Sequence, residues 1–539
     1  MIYFWGCFKT KFLSRHFLWN DNTILIYLAL AKLIIHLLTS NGYGYFGDEL
    51  YWQALSKHLD FGYVDVPPLV AYLTALSRFL IGTSLFAIHI LPAIAGAVMV
   101  YFTGLVTREL GGKRFAQWFS ALTVLVSPFF LWVNSVSTYD PIDQLCTIIL
   151  FYFVICIINQ ETSASSSIRP WLLLGVVAGL GTMTKLSMIF TVGAIIFAVL
   201  LTSRRKSFLT IRPWLALIIA ALICTPYLVW QSVHGWPLLT YFNNYAQSSI
   251  KPHPQPVEFF KGVIFFLNPF LLPVWLFGLC YFMFHPKGKK HRILGFTFII
   301  LAIFFTGLEK LEQRQIVSAC LPLLAGGAIW IERILTVSAV RNKRIFWIKR
   351  IYIGITLVYS ALVAPFFLPI LHIPILEKYL AVTPAFIEKS ISDIPTKLPF
   401  QFSFQLGWPE MVKEVAEVYH SLPEADRKKC AVWGGYYWDA GAIDLLGKKY
   451  DLPYAISNCQ SYQIWGSEQL NSGNAPEVAI MLRTAPDFPA YDYFDEVTLV
   501  KSFNISIYSV YSSTNLQVYI CRKPKSNYKD SWKKHYLYF

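Results

Sequence analysis

The sequence predicts a polytopic α-helical membrane protein that ends in a small extracytoplasmic α/β domain. Composition is the first observation behind this. Hydrophobic residues make up 55% of the chain and charged residues only 14%, against about 25% charge in a soluble globular protein. The second is that apolar runs recur at about 20 residues, the length that crosses a bilayer as a helix, without the short alternating segments of a closed barrel. The third is a change of character near residue 372, beyond which the chain reads as ordinary soluble sequence. The net charge of +15 sits in short loops between apolar runs. That is the positive-inside pattern rather than the basic face of a nucleic-acid binder.

The elements follow in order. Residues 1–21 carry Lys9, Lys11 and Arg15 and are placed in the cytoplasm. The first run, 22–39, is not followed by a small-residue cleavage site and reads as a retained helix. It delivers a first outer loop, 41–84, whose stretch Tyr43 to Leu73 is rich in acidic and aromatic residues. Spans are then expected at 85–106, 115–133, 142–158, 170–184, 186–202, 211–230, 260–284, 293–308, 315–333 and 350–371. The pair 170–202 is short enough for a re-entrant hairpin. Loops placed inside are basic or neutral (Arg108, Lys113, Arg114; Arg204, Arg205, Lys206; Lys287 to Arg292; Arg341 to Arg350), and loops placed outside hold carboxylates and aromatics. This alternation gives about eleven spans. The membrane domain is therefore 1–371 and the extracytoplasmic domain 372–539.

In the second domain, WPEMVKEVAEVYHSL reads as an amphipathic helix with Val412, Val415, Val418 and Tyr419 on one side. CAVWGG, YDLPYAIS, EVAIMLR, FDEVTLVKSF and LQVYICRKP read as strands, and DAGAIDLLGKK as a helix between the first two. No GxGxxG, Walker or HExxH pattern occurs, so no nucleotide cofactor is expected. Cys430, Cys459 and Cys521 match no zinc spacing and leave room for one disulfide. His253 lacks the spaced partners of a metal ligand. The sequence leaves open whether a divalent ion assists.

Ionisable residues at membrane depth are costly and point to function. Asp48, Glu49, Asp65, Asp140, Asp143, Lys185, Lys251, Lys310 and Arg314 all fall at outer span ends or in outer loops. Carboxylates beside cations at a lipid surface suit group transfer from a lipid phosphate to a hydroxyl. The carboxylate takes the proton of the attacking hydroxyl, and the cations hold the leaving phosphate. Structural alternatives stand beside each. Asp48 would cap a helix starting at Glu49, and Asp140 before Pro141 a later one. Glu49 and Asp143 would face helix N-termini. Asp65 would serve a turn, and Lys185, Lys310 and Arg314 would anchor to headgroups.

YFGDELYWQALSKHLDFGYVDVPPL, with its Asp48-Glu49 pair and the downstream Pro67-Pro68, resembles the first outer loop of the family 39 glycosyltransferases. This is the protein O-mannosyltransferase-like group, which includes the bacterial lipid A aminoarabinose transferases. STYDPIDQL and GLGTMTKLSMIF resemble two further family segments, and GWPEMVKEVAEVY, the stretch from Gly434 to Gly466, and VYICRKP resemble bacterial members with a C-terminal domain. The resemblance implies a GT-C fold and inverting transfer of a sugar from a polyprenyl-phosphate donor. Asp48 is implied as the catalytic base with Glu49 beside it. Asp65, Tyr139, Asp140, Asp143, Lys185, Lys310 and Arg314 are then the expected substrate-binding residues. The acceptor is a glycolipid such as lipid A, a polysaccharide or a protein. The expected location is the inner membrane, with the site facing outward. Aminoarabinose transferases tend to carry a Lys before the Pro-Pro pair; Val66 stands there, which argues against that sugar and that acceptor. A flippase of lipid-linked sugars would instead show mid-span charges and an internal repeat. A non-catalytic scaffold would not need Asp48 and Lys185 near each other.

Overall fold

The structure, a computed structural model, describes residues 21–160, 167–247, 256–307, 314–339, 343–382, 396–471, 476–484 and 489–526, with residues 528, 531, 532 and 538. Helix α1 (Asp21–Thr39) is followed by two helices within the acidic, aromatic stretch and its edge, α2 (Gly47–Leu55) and α3 (Leu69–Leu80). Next come α4 (Leu85–Glu109), α5 (Arg114–Val126), α6 (Pro128–Val133), α7 (Asp140–Gln160), α8 (Arg169–Thr184), α9 (Ser187–Leu200) and α10 (Ile211–Val233). Helices α11 (Pro237–Gln247), α12 (Pro256–Leu267), α13 (Leu272–Phe284), α14 (Arg292–Gly307), α15 (Leu321–Ala339) and α16 (Lys343–Val363) complete this half.

Among the described residues, seven helices are long and apolar enough to cross a membrane, and nine if two bent pairs each count as one span. The protein is a multi-pass membrane protein. The expected third span is interrupted, because Pro128 lacks the N–H that would continue α5, and α6 starts afresh. The fifth is the 16-residue α8. The expected span 260–284 is two helices bent by 96°. Asn268 lies between them at φ 91°, and its side chain caps the next turn by accepting from the Phe270 N–H at 2.9 Å. The segment after α9 turns by 108° into a 3₁₀ helix, Ser203–Leu209, so the expected hairpin partner is a bent element.

Small residues set the closest approaches in the bundle. A Cβ on Gly278 of α13 would lie 1.8 Å from the Leu323 carbonyl oxygen, and one on Gly327 of α15 1.8 Å from that of Val274. Only glycine lets these two backbones touch, the packing that membrane helices use where burial of apolar surface gives no drive. Lys32 of α1 is fully buried and donates to the Phe130 carbonyl oxygen at 2.7 Å. It thereby satisfies an orphan carbonyl in the last turn of α6.

The C-terminal part begins its packing at Phe400–Ser403 and continues with α17 (Trp408–Ser421), β1 (Cys430–Trp433), α18 (Tyr437–Leu446), β2 (Ala455–Ile456), α19 (Ser461–Asn471), β3 (Val478–Arg483), β4 (Phe494–Phe503) and β5 (Leu516–Pro524). The sheet order is β2-β1-β3-β5-β4. β1 runs parallel to β2 and β3, with Val432 opposite Ala455 and Ile480. β3, β5 and β4 are antiparallel. Val412, Val415 and Val418 of α17 are buried, as the periodicity predicts. Cys430, Cys459 and Cys521 carry free thiols. One apolar core runs through this part and α2 alike, from Leu50, Tyr51 and Trp52 to Trp408, Val412, Val432 and Ile480.

Candidate active site

The site is built on α2. Its first turn begins at Gly47, with Phe46 in the N-cap position, so Asp48 lies inside the helix and does not cap it. The capping function falls to Glu49, whose Oε2 accepts from the Phe46 N–H at 2.9 Å. Glu49 is fully buried. Its Oε1 accepts from the Ser137 N–H at 2.6 Å and meets His89 Nε2 at 2.8 Å. His89 Nδ1 lies 2.7 Å from the Ser40 carbonyl oxygen, which only accepts, so that nitrogen carries a proton. One carboxylate thus joins α2, α4 and the loop before α7.

Asp48 is half-buried. The Tyr437 hydroxyl, at the start of α18, donates to its Oδ1 at 2.9 Å. Tyr437 packs on the Tyr51 ring with centroids 4.7 Å apart. The Tyr51 hydroxyl in turn donates to Asp65 Oδ1 at 2.8 Å and contacts Ser461 Oγ at 2.8 Å. Burial, above all, pushes the Asp65 carboxyl up to about 7; the Tyr51 hydrogen bond opposes this and the charge of Asp48 adds to it. The phenols of Tyr51 and Tyr437 are raised well above their ordinary range, first by burial and then by neighbouring carboxylates. Tyr241 of α11 is raised likewise, by burial first and then by Asp65, Tyr139, Tyr245 and Asp48.

Lys185 follows α8 directly. Its Nζ lies 2.5 Å from Asp140 Oδ1 and 4.6 Å from the centroid of the Tyr139 ring. Tyr139 meets Trp52 of α2 edge-on at 6.1 Å. Asp140 opens α7, and Asp143 sits one turn on, buried, with its Oδ1 lacking a hydrogen-bond partner. The geometry thus brings Asp48, Glu49, Asp65, Tyr139, Asp140 and Lys185 into one connected cluster, with Asp143 one turn along α7. Lys185 is paired with Asp140, where the sequence suggested a cation free for phosphate. Lys251, His253 and Lys310 lie outside the described residues, and Arg314 opens the short helix Arg314–Val317.

Four contributors were not legible as site residues: His89, Tyr51, Tyr437 and Tyr241. An ionisable residue inside the apolar run of α4 was the available signal for His89. The tyrosines gave none, because their neighbours come from distant parts of the chain.

Comparison with known proteins follows the same architecture. The ArnT protein of Cupriavidus metallidurans, solved with undecaprenyl phosphate bound, superposes with a TM-score of 0.59 over 92% of this chain and 97% of its own, at 14% identity. The chain has a GT-C fold. The archaeal oligosaccharyltransferase AglB of Archaeoglobus fulgidus, in complex with an inhibitory peptide and a dolichol-phosphate, shares this GT-C fold with a TM-score of 0.52, at 11% identity over 87% of this chain and 70% of its own. A family model described as dolichyl-phosphate-mannose-protein mannosyltransferase matches residues 65–230. The undecaprenyl phosphate-alpha-4-amino-4-deoxy-L-arabinose arabinosyl transferase of Pseudomonas savastanoi pv. phaseolicola is 25% identical over 276 residues, 49% of this chain and 50% of the relative. That of Erwinia tasmaniensis is 30% identical over 178 residues, 32% of this chain and 31% of the relative. The chain thus spans half or less of the length of these curated relatives. The resemblance read from the sequence is borne out as a GT-C likeness.

Proposed function

We propose that this protein is a membrane glycosyltransferase that moves a sugar from a polyprenyl-phosphate donor to a hydroxyl or phosphate acceptor on the extracytoplasmic side of the inner membrane. The observation that carries the reading is the half-buried Asp48 carboxylate, held on a helix whose other acidic residue is wholly engaged in structure. Asp48 takes the proton of the acceptor as its oxygen attacks the anomeric carbon. The bond from that carbon to the phosphate oxygen breaks, and the configuration inverts. The leaving polyprenyl phosphate carries the negative charge that Lys185 meets by exchanging Asp140 for it. Glu49 acts as a positioning residue, since its oxygens are satisfied by Phe46, Ser137 and His89. Asp65 and Tyr139 line the donor side with Asp140 and Asp143, and Lys310 and Arg314 are assigned to the same phosphate. The solved relatives with undecaprenyl phosphate and dolichol-phosphate support the donor class. Val66, a buried apolar residue where aminoarabinose transferases tend to have a lysine, argues for a different sugar.

The test uses purified protein, a panel of radiolabelled polyprenyl-phosphate sugars, and lipid, polysaccharide and peptide acceptors. Asp48→Asn is expected to lower transfer about a thousandfold. Transfer at the wild-type rate would remove Asp48 from the role of base.

A further inference from the structure

An apolar slot opens at the far end of the helical bundle from the candidate site. Helix α7 begins at Asp140, and its residues Leu150 and Ile158 line the slot, about 15–27 Å further along the helix. Leu174 of α8, Val192 of α9 and Leu217 of α10 form the other walls. Helix α9 starts just after Lys185 and runs the same way, which carries its last turns to this far end. The free volume is about 110 Å³, and an apolar cavity of about 150 Å³ stays free of water and takes up a benzene. The slot therefore suits a stretch of hydrocarbon. Among the described residues that line it, only Arg204 is charged.

Cations gather at its mouth. Arg204 comes from the 3₁₀ helix Ser203–Leu209, which turns by 108° from α9 and so lies across the end of the bundle. Arg205 and Lys206 of the same element are exposed. Ile293 of α14 is a further wall of the slot, and the basic 3₁₀ turn Lys289–His291 stands directly before that helix. His291 Nε2 lies 3.0 Å from Asn159 Oδ1, which ties this turn to the α7 end beside Ile158. The charges of Arg204 and Lys290 repel one another, and an anion between them relieves that repulsion. The rim is apolar: Leu209, Ile211 and Trp214 are exposed, Leu209 at 87%. Trp214 Nε1 donates to the Phe208 carbonyl oxygen at 3.0 Å. A basic segment that exposes Leu, Ile and Trp lies in the headgroup boundary of a bilayer.

We propose that this slot takes one acyl chain of an anionic phospholipid in the leaflet far from Asp48, with the lipid phosphate held between Arg204 and Lys290. A guanidinium fork and an ammonium match phosphate oxygens, and anionic leaflets attract basic segments at the membrane surface. A zwitterionic lipid would set its own ammonium among these cations. A polyprenyl chain reaching down from the candidate site would fill the slot and leave the cations unmet. The lipid site stands whichever reaction Asp48 serves.

The test is native mass spectrometry of the full-length, detergent-solubilised protein with dioleoyl phosphatidylglycerol or dioleoyl phosphatidylcholine. One phosphatidylglycerol per protein is expected to be retained at about tenfold lower concentration than phosphatidylcholine. The double variant Arg204→Gln, Lys290→Gln is expected to abolish most of that preference. Lys290 is exposed, so Lys290→Gln alone keeps the fold even if the double variant does not, and it is expected to cut the preference about threefold. Val192→Phe puts a ring into the slot and is expected to lower retention of phosphatidylglycerol about tenfold. Millimolar glycerol 3-phosphate, which has no chain, and equimolar undecaprenyl phosphate are expected not to displace the lipid. Equal retention of the two phospholipids overturns the proposal, as does an unchanged preference in Lys290→Gln or unchanged retention in a folded Val192→Phe. Displacement by glycerol 3-phosphate would make the site one for free anions, and displacement by undecaprenyl phosphate would give it to the polyprenyl chain; either result overturns the proposal.

Discussion

Asp65 is a carboxyl whose folded-state pKa, about 7, lies above its ordinary value of 3.8, chiefly through burial. Between those values the unfolded chain has already released the proton that the folded chain keeps. Its contribution to stability is therefore full near pH 4 and is lost as pH rises through about 7. Asp65→Asn keeps an acceptor for the Tyr51 hydroxyl and removes the titration. Its thermal midpoint in detergent is expected to match the wild type at pH 4 and to exceed it at pH 8; parallel curves would show that Asp65 does not titrate in this window. The pair Asp48 and Glu49 shows what adjacent residues leave undecided. Both were legible as candidate-site carboxylates, but on a helix neighbours point about 100° apart. One is therefore half-buried at the cluster, and the other is buried and tied to three segments.

At the scale of elements, apolar runs located the helices well: α1, α4, α7, α10 and α14 lie where the runs predict, whereas α16 starts seven residues before the run expected at 350–371. Breaks within runs were not legible in the same way. Apolar content continues through Asn268 and Pro269, so hydropathy sees one span where the backbone makes two helices bent by 96°. Helix packing is likewise a matter of small residues meeting across elements. Gly278→Val would push a side chain into the Leu323 carbonyl. It is expected to lower the thermal midpoint sharply and the yield of folded protein, because overpacking costs about 1–3 kcal/mol or more. Gly193→Ala on α9, where a Cβ meets nothing within 4 Å, serves as the control and is expected to be neutral or stabilising by about 0.5–1 kcal/mol. Equal effects of the two would refute the packing argument.

At the scale of the molecule, the C-terminal part with its mixed sheet is packed onto the candidate site. A Cβ on Gly441 of α18 would lie 2.7 Å from the Leu50 backbone, so α18 sits directly on α2. That contact brings the Tyr437 hydroxyl to Asp48. Tyr437→Phe keeps the ring on Tyr51 and removes the donor that fixes the carboxylate. It is expected to lower kcat about tenfold, the value of a hydrogen bond to a charged group, with an unchanged thermal midpoint. Single-turnover rates with the Asp48 substrates would measure it, and a wild-type rate would reduce Tyr437 to a packing residue.

The sequence by itself determined the membrane class, the positions of most spans, the strand segments of the C-terminal part and the acidic stretch that carries Asp48. These follow from hydropathy, period and local chemistry, which act over a few residues along the chain. Tertiary structure alone decided that Glu49 is engaged while Asp48 is half-exposed, that Lys185 meets Asp140, and that Tyr437 reaches the site from 389 residues away. Those outcomes depend on which helix faces touch, and that is set by close backbone approach at glycines and by buried carboxylates seeking distant N–H groups. Neither leaves a periodic trace in the chain.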